Sequence, residues 1–335
     1  MLAAAVSLTF AATACTSSAG HTAARTTSSA SPAPAAAPAL TRKEALARID
    51  HYSKINNRAN RSNNRALLDT VEDGPLYAMS VADYKQAEGL PRADRTPYKP
   101  WSYDTASADV YIPRIQPGGQ RWFAAVTYTG RNHRYARLLV MAQQPTTRRW
   151  EMVSAVDLDS KKQIPQIALD ADGYATAVDA ASATAVTTPV AALRAAVVDD
   201  YVTGGTTTGT TVFARTKALT QQIKAHDKTT TKFGARGTTV FTNAATRFED
   251  SYALKTTDGA LVVFAHAHRQ TDTAHTGWQI NPGKDDRAWL GRKGYVSIAF
   301  DFTCSDVAAV PRTSGKARLL AYTCRRTAAH GTPAG

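Results

Sequence analysis

Apolar positions in this chain recur first at helical spacing and then in alternation, and that order occurs twice. Thr41-Arg42-Lys43-Glu44 is a capping box, in which Thr41 takes the Glu44 amide and Glu44 reaches back. Leu46, Ile49, Tyr52 and Ile55 follow at helical spacing and predict an amphipathic helix of about four turns. The polar run NNRANRSNN, 56–64, is expected to break that face. RALLDTVEDG predicts a second short helix ending at Gly74, and SVADYKQAEG a third, capped by Ser80 and stopped by Gly89. Pro91, Pro97 and Pro100 make the next stretch a loop. From Asp109 the period becomes two, and DVYIPRI, RWFAAVTYT, YARLLVMAQ and RWEMVSAVDL predict four strands of an antiparallel meander.

The second half repeats the order. DAASATAVTTP, 179–189, is small and polar enough for a linker. VAALRAAVVDDYV and TKALTQQIKAH predict helices; GTTVFTN, SYALKTT, ALVVFAHAHR, YVSIAFDFT, VAAVP and KARLLAYT predict strands. Helices followed by antiparallel strands is an α+β arrangement. Two such domains are expected, at 41–178 and 190–330, folding separately on either side of the linker.

Composition changes this picture little: 43% hydrophobic and 20% charged residues are ordinary for a globular chain. The formal net charge of +13 is uneven, with 20 Lys/Arg against 16 Asp/Glu in 41–180 and 19 against 11 in 181–335. Such a balance favours anionic headgroups or wall polymer at an exported protein, rather than nucleic acid, as the partner.

The N-terminus supplies an address. Leu2 to Ala14 is apolar but shorter than the roughly 20 residues that span a bilayer, and reads as the core of an export signal over 1–14. Ala12-Thr13-Ala14-Cys15 resembles a bacterial lipobox, which implies cleavage before Cys15 and acylation (palmitate-type) of its thiol. Alanine stands where leucine is commoner, and no basic residue precedes the apolar run. An ordinary secretory signal with an incidental cysteine is the alternative. Residues 15–40, rich in Ser, Thr, Ala and Pro, bury too little surface to offset ordering entropy and are expected to form a disordered tether. The expected location is the extracytoplasmic face of the cell membrane, held by lipid.

The order of helices and strands resembles nuclear transport factor 2-like, or cystatin-type, α+β cones in tandem. With the lipobox and tether, the chain is similar to uncharacterised actinobacterial lipoproteins. That resemblance implies two cone-like domains, each with N-terminal helices on a curved antiparallel sheet, and transfers no catalytic residue.

Candidate chemistry is sparse. Gly-x-Ser-x-Gly, Ser-x-x-Lys, P-loop and Gly-x-Gly-x-x-Gly motifs are absent. DADG, 170–173, lacks the remaining ligands of a calcium loop and reads as a tight turn. Once Cys15 is lipidated, Cys304 and Cys324 remain, on strands joined by PRTSG. A turn centred on Ser314 sets the two cysteines opposite each other, which favours a disulfide over a metal site. His266 and His268 fall on one strand face, with His275 beyond the next turn; a polar strand face near the sheet edge is preferred there to a metal site. Trp278, Lys284, Arg287, Trp289, Arg292 and Lys293 mix aromatic and basic side chains in one candidate binding loop, unless its tryptophans merely pack over the sheet. Arg58, Arg61 and Arg65 read as a solvated helix face. The expectation is a noncatalytic envelope lipoprotein, with no cofactor or metal, that binds wall polymer or another envelope protein. A small-molecule carrier or enzyme using a cone cavity is the alternative.

Overall fold

The capping box at Thr41 is complete: Glu44 N–H donates to Thr41 Oγ1 at 3.3 Å, and Thr41 N–H to Glu44 Oε2 at 2.8 Å. It opens α1 (Arg42–Ser62), which runs on through the polar stretch expected to break it. The helix persists because one side of that stretch points inward: Asn56 is buried and hydrogen-bonded, as described below, and Ala59 is buried, while Arg58 and Arg61 face solvent. Helix α2 (Arg65–Leu68) is a single turn, and α3 (Gly74–Gly89) begins at the glycine expected to end its predecessor. Pro75 sits in its first turn, where a missing N–H costs nothing, and Asp73 rather than Ser80 holds the cap position.

The computed structural model describes residues 35–129 and 135–335. Cys15, the apolar segment and the tether as far as residue 34 lie outside the described residues. The end of the expected tether belongs to the fold. Here β1 (Ala37–Pro38) pairs with a strand of the first half, and Ala39 and Leu40 are buried.

DVYIPRI divides at Pro113, which has no N–H for a ladder. Of its two parts, β2 (Asp109–Tyr111) enters the first large sheet, while β3 (Pro113–Ile115) lies between β1 and β7 (Ala175–Thr176). The other first-half strands are β4 (Trp122–Tyr128), β5 (Ala136–Gln143) and β6 (Trp150–Leu158), giving an antiparallel sheet in the order β2-β4-β5-β6. The second half supplies α4 (Val190–Val202), α5 (Gly209–Val212), α6 (Lys217–Thr230), β8 (Gly237–Asn243), β9 (Ser251–Lys255), β10 (Gly259–Ala274), α7 (Lys284–Leu290), β11 (Tyr295–Pro311) and β12 (Arg318–Pro333). Its sheet runs β12-β11-β10-β8, with β9 also on β10. YVSIAFDFT and VAAVP are one strand, because the Ser305-Asp306 step between them stays paired on both sides. The α+β class therefore holds.

Side-chain alternation shows how the layers stack. Phe123, Ala125, Leu139 and Met141 face α1, whereas Trp122, Ala124, Val126, Leu138 and Val140 face the other way. There they meet Tyr252, Leu254, Leu261, Val263 and Val307 of the second sheet in one cluster, with the Trp122 and Tyr252 rings 5.3 Å apart. Val262, Phe264 and Ala308, on the far side of the second sheet, pack on α4 and α6. The order is helices, sheet, sheet, helices, with the central core shared by both halves. Residues Ala35–Gly335 form one compact unit. The stretch 179–189 is docked to it, with Ala180 and Val186 buried and Thr187 N–H bonded to Pro311 O at 3.1 Å. Among the described residues no helix is long and apolar enough to cross a membrane.

The C-terminal hairpin has the register expected from its turn. Cys304 faces Cys324 and the two form a disulfide, Cα atoms 4.1 Å apart. Replacing both cysteines with serine should cost about 2–4 kcal/mol, chiefly by freeing the unfolded chain. Urea unfolding of the two proteins without reductant measures this. An unchanged midpoint would show that β11 and β12 hold their register unaided.

Candidate functional site

The internal face of α1 carries, in helical succession, Tyr52, Asn56 and Asn60. Tyr52 Oη donates to Glu72 Oε1 at 2.7 Å and Asn56 Nδ2 donates to the same oxygen at 2.8 Å. Asn60 Nδ2 donates to Asn56 Oδ1 at 2.6 Å, and Tyr84 Oη of α3 donates to Asn60 Oδ1 at 2.5 Å. Asn57 holds the proline-rich loop: its Nδ2 donates to Trp101 O at 2.6 Å, while its Oδ1 accepts from Trp101 N–H at 2.9 Å and from Tyr98 Oη. All of these groups except Asn57 line a pocket of about 390 Å³ between the first-half helices, that loop and the strands β5, β6 and β12.

Aromatic rings form much of the wall. Trp101 and Tyr103 meet edge to face at 4.8 Å, with Tyr52 6.1 Å from the first and 6.2 Å from the second. The charged groups are Glu72, Asp83, Arg137, Asp157 and Arg325. Arg137 Nε pairs with Asp157 at 2.6 Å, and Arg325 Nε with Asp83 at 3.2 Å. Glu72, 1% exposed, is pushed up to about 7: burial outweighs the hydrogen bonds from Ser80, Tyr52 and Asn56, and the Asp83 charge adds to the rise. Burial likewise raises Asp83, partly offset by Arg325. A buried carboxyl titrating near neutrality beside amides and aromatic rings marks a ligand site more than a packing site.

The candidate binding loop is elsewhere and largely engaged. Its α7 lies on α3, with Trp289 Nε1 donating to Gln86 Oε1 at 3.4 Å and the Lys85 ammonium 4.6 Å from the indole. Gly89 permits the approach: a Cβ there would fall 2.1 Å from Ala288 O. Lys284 pairs with Asp94 at 3.1 Å, and Arg287 Nε donates to Pro282 O at 2.9 Å. Arg292 and Lys293 are exposed, and Trp278, 54% exposed, lies under the Arg236 guanidinium. Of the six, Lys284, Arg287 and Trp289 thus have partners of their own, and Trp278, Arg292 and Lys293 are exposed. Arg58 and Arg61 are exposed, and Arg65 forms a bidentate pair with Glu88.

The histidines are interior rather than at an edge. His266 and His268 lie on β10 between two neighbouring strands, 1% and 2% exposed. His266 Nδ1 donates to Asp306 Oδ2 at 2.5 Å, its Nε2 is 3.3 Å from His268 Nδ1, and Tyr201 stacks on His268 with centroids 4.0 Å apart. Burial, then the neighbouring His266, holds His268 well below the usual imidazole range. His275 is exposed and bonded to Ala235 O, so it does not join them. The DADG turn is present: Asp170 Oδ1 accepts from Asp172 and Tyr174 N–H, and Arg114 clasps both aspartates.

Adjacent Asp199 and Asp200 have opposite fates. Burial raises Asp199, but Gly209, Thr208, Thr203 and Thr207 all donate to it, and the net shift is downward. Asp200 is fully buried, and neither oxygen has a hydrogen-bond partner among the described residues. A Cβ on Gly209 would come within 2.0 Å of its Oδ1. Burial, then the charges of Asp199 and Asp306, pushes Asp200 up to about 8.

Fold and site define an α+β protein with a polar, aromatic-walled pocket beneath its N-terminal helices. The chain belongs to the family described as "Domain of unknown function (DUF8094)", whose model matches residues 36–331. It is 54% identical over 335 residues to the uncharacterized lipoprotein SCO6871 of Streptomyces coelicolor, covering 99% of this chain and 94% of that one. No solved structure matches the chain.

Proposed function

We propose that this is a noncatalytic, lipid-anchored protein of the extracytoplasmic membrane face that captures an envelope component, a segment of wall polymer, in the pocket under α1 and α3. The pocket carries the reading: Tyr52, Asn56, Asn60, Tyr84 and Trp101 offer stacking surface and hydrogen bonds in about 390 Å³ open to solvent. It lies between the first-half helices and the strands β5, β6 and β12, so the second half closes one wall. Anchoring is supported by Ala12-Thr13-Ala14-Cys15 and by the relative's description as a lipoprotein.

Cys15→Ser should release the full-length protein from membranes, and the released protein should sediment with purified cell wall. Trp101→Ala in that background should weaken sedimentation about tenfold, the equivalent of roughly 1.4 kcal/mol. Tyr84→Phe, which removes one hydroxyl and keeps the ring, should weaken it less. Wall binding indifferent to both pocket substitutions would remove the pocket from the function.

A further inference from the structure

We propose that the pocket recognises an organic ammonium group, seated against Glu72 and the surrounding tyrosine and tryptophan rings; this rests on the pocket being the binding element.

The charges of the pocket do not cancel. Each arginine has its own carboxylate, Arg137 with Asp157 and Arg325 with Asp83. Glu72 has no such partner: its bonds come from Tyr52 and Asn56, and the Ser80 hydroxyl is beside it. The groups on which its charge bears most are Asp83, Tyr52, Tyr77, Tyr84 and Tyr103; the cation on the same wall, Arg137, is engaged by Asp157 and Tyr103. One unpaired buried carboxylate therefore remains beside three mutually packed rings, Tyr52, Trp101 and Tyr103. An anion would add to three carboxylates already present. A neutral sugar would leave Glu72 holding its proton and would draw nothing from its charge. An ammonium group neutralises it and gains the ring faces, whose quadrupoles attract cations most strongly where water is excluded.

The same arrangement sets a pH dependence. Glu72 holds a proton below about 7, and a bound cation favours the ionised form. Binding should release a proton below that pH, and affinity should fall about tenfold per unit of pH under it.

The test is calorimetric titration of the full chain, as the Cys15→Ser protein, with choline and its uncharged isostere dimethylbutanol at pH 5.5 and pH 8. We expect choline to be preferred at least tenfold at pH 8, to weaken more than tenfold at pH 5.5, and to lose its preference in Glu72→Gln. That substitution keeps the shape of the protonated side chain; Lys224→Gln, exposed on α6 and outside the pocket, should keep both the affinity and the preference. Equal binding of choline and the isostere, or choline binding unaffected by Glu72→Gln, overturns the assignment. Choline failing while Trp101→Ala still weakens wall sedimentation overturns the ammonium alone, whereas sedimentation untouched by Trp101→Ala overturns the pocket reading beneath it. Acetylating the amines of the wall separates two sources: lost sedimentation assigns a polymer-borne ammonium, and unchanged sedimentation with choline bound assigns a free one.

Discussion

Val263→Asp should unfold both halves of the molecule, although the residue belongs to the second. Val263 is 4% exposed, in the cluster where Leu138, Val140 and Val156 of the first sheet meet Leu254, Leu261 and Val307 of the second. An aspartate there has no cation to pair with in that cluster, and burying an uncompensated carboxylate costs several kcal/mol. A domain of this size is held by about 5–15 kcal/mol, so a loss of about 4 kcal/mol or more removes between about a quarter and most of the margin. Leu138→Ala, on the opposite sheet, should cost about 2–5 kcal/mol by leaving a cavity. Hydrogen exchange resolved by peptide measures the coupling: each substitution should raise exchange in β4–β6 and in β10–β12 together. One transition for 35–335 thus replaces separate folding on either side of 179–189 as the expected result. Loss confined to the half that carries the substitution would show that the central cluster is an interface between independent folders.

That shared core was partly legible. FAAV in β4, LLVMA in β5 and ALVVFA in β10 are continuous apolar runs, the pattern of strands covered on both faces. A one-sided meander would have kept strict alternation. Periodicity gives the number of buried faces but not the identity of the second cover, which here is the other sheet. The register of Cys304 and Cys324 was legible because a short turn fixes both strands at once. The pocket was not. Its residues come from α1, the turn before α3, α3, the loop 90–103 and three strands, and no local pattern joins them. The one local sign was the asparagine run itself. On a solvent face such a run interrupts a helix; here Asn56 and Asn60, four residues apart, continue the row of Tyr52 and turn an apolar seam into a polar wall. In the candidate loop at 278–293 the partners were hidden for the converse reason: Trp289, Lys284 and Arg287 have theirs on α3, in the loop after it and on the loop's own backbone. Sequence distance hides such partners.

Acid should stabilise this protein, and Asp200→Asn should cancel much of the effect. Asp200 ordinarily titrates near 3.8; folded, it is pushed up to about 8, and Glu72 moves the same way, from 4.5 to about 7. Both groups keep a proton in the native state that the unfolded chain has already lost. Unfolding then releases protons, and stability falls as pH rises through this window. The stabilising contribution is fully present below the unfolded values and is lost by about pH 8 for Asp200 and about pH 7 for Glu72. Each unit of pH should cost about 1.4 kcal/mol per group while both conditions hold. Carboxylates bound to arginine or to backbone amides, such as Asp170 and Asp199, have lowered values and oppose this trend only near and below their unfolded value of 3.8. Between about pH 6.5 and 8 the slope belongs to Asp200 and Glu72; below about 6.5 it is opposed by His268, whose proton the unfolded chain binds and the fold excludes. Asparagine at 200 keeps the volume of the buried acid and cannot ionise, so Asp200→Asn should gain about 2–4 kcal/mol over the wild type at pH 7 and nearly nothing at pH 4. Urea unfolding of both proteins at half-unit pH steps measures the two slopes. A wild-type slope of zero between pH 6.5 and 8, or an Asp200→Asn protein less stable than wild type at pH 8, would mean that Asp200 is ionised in the fold and held by a cation.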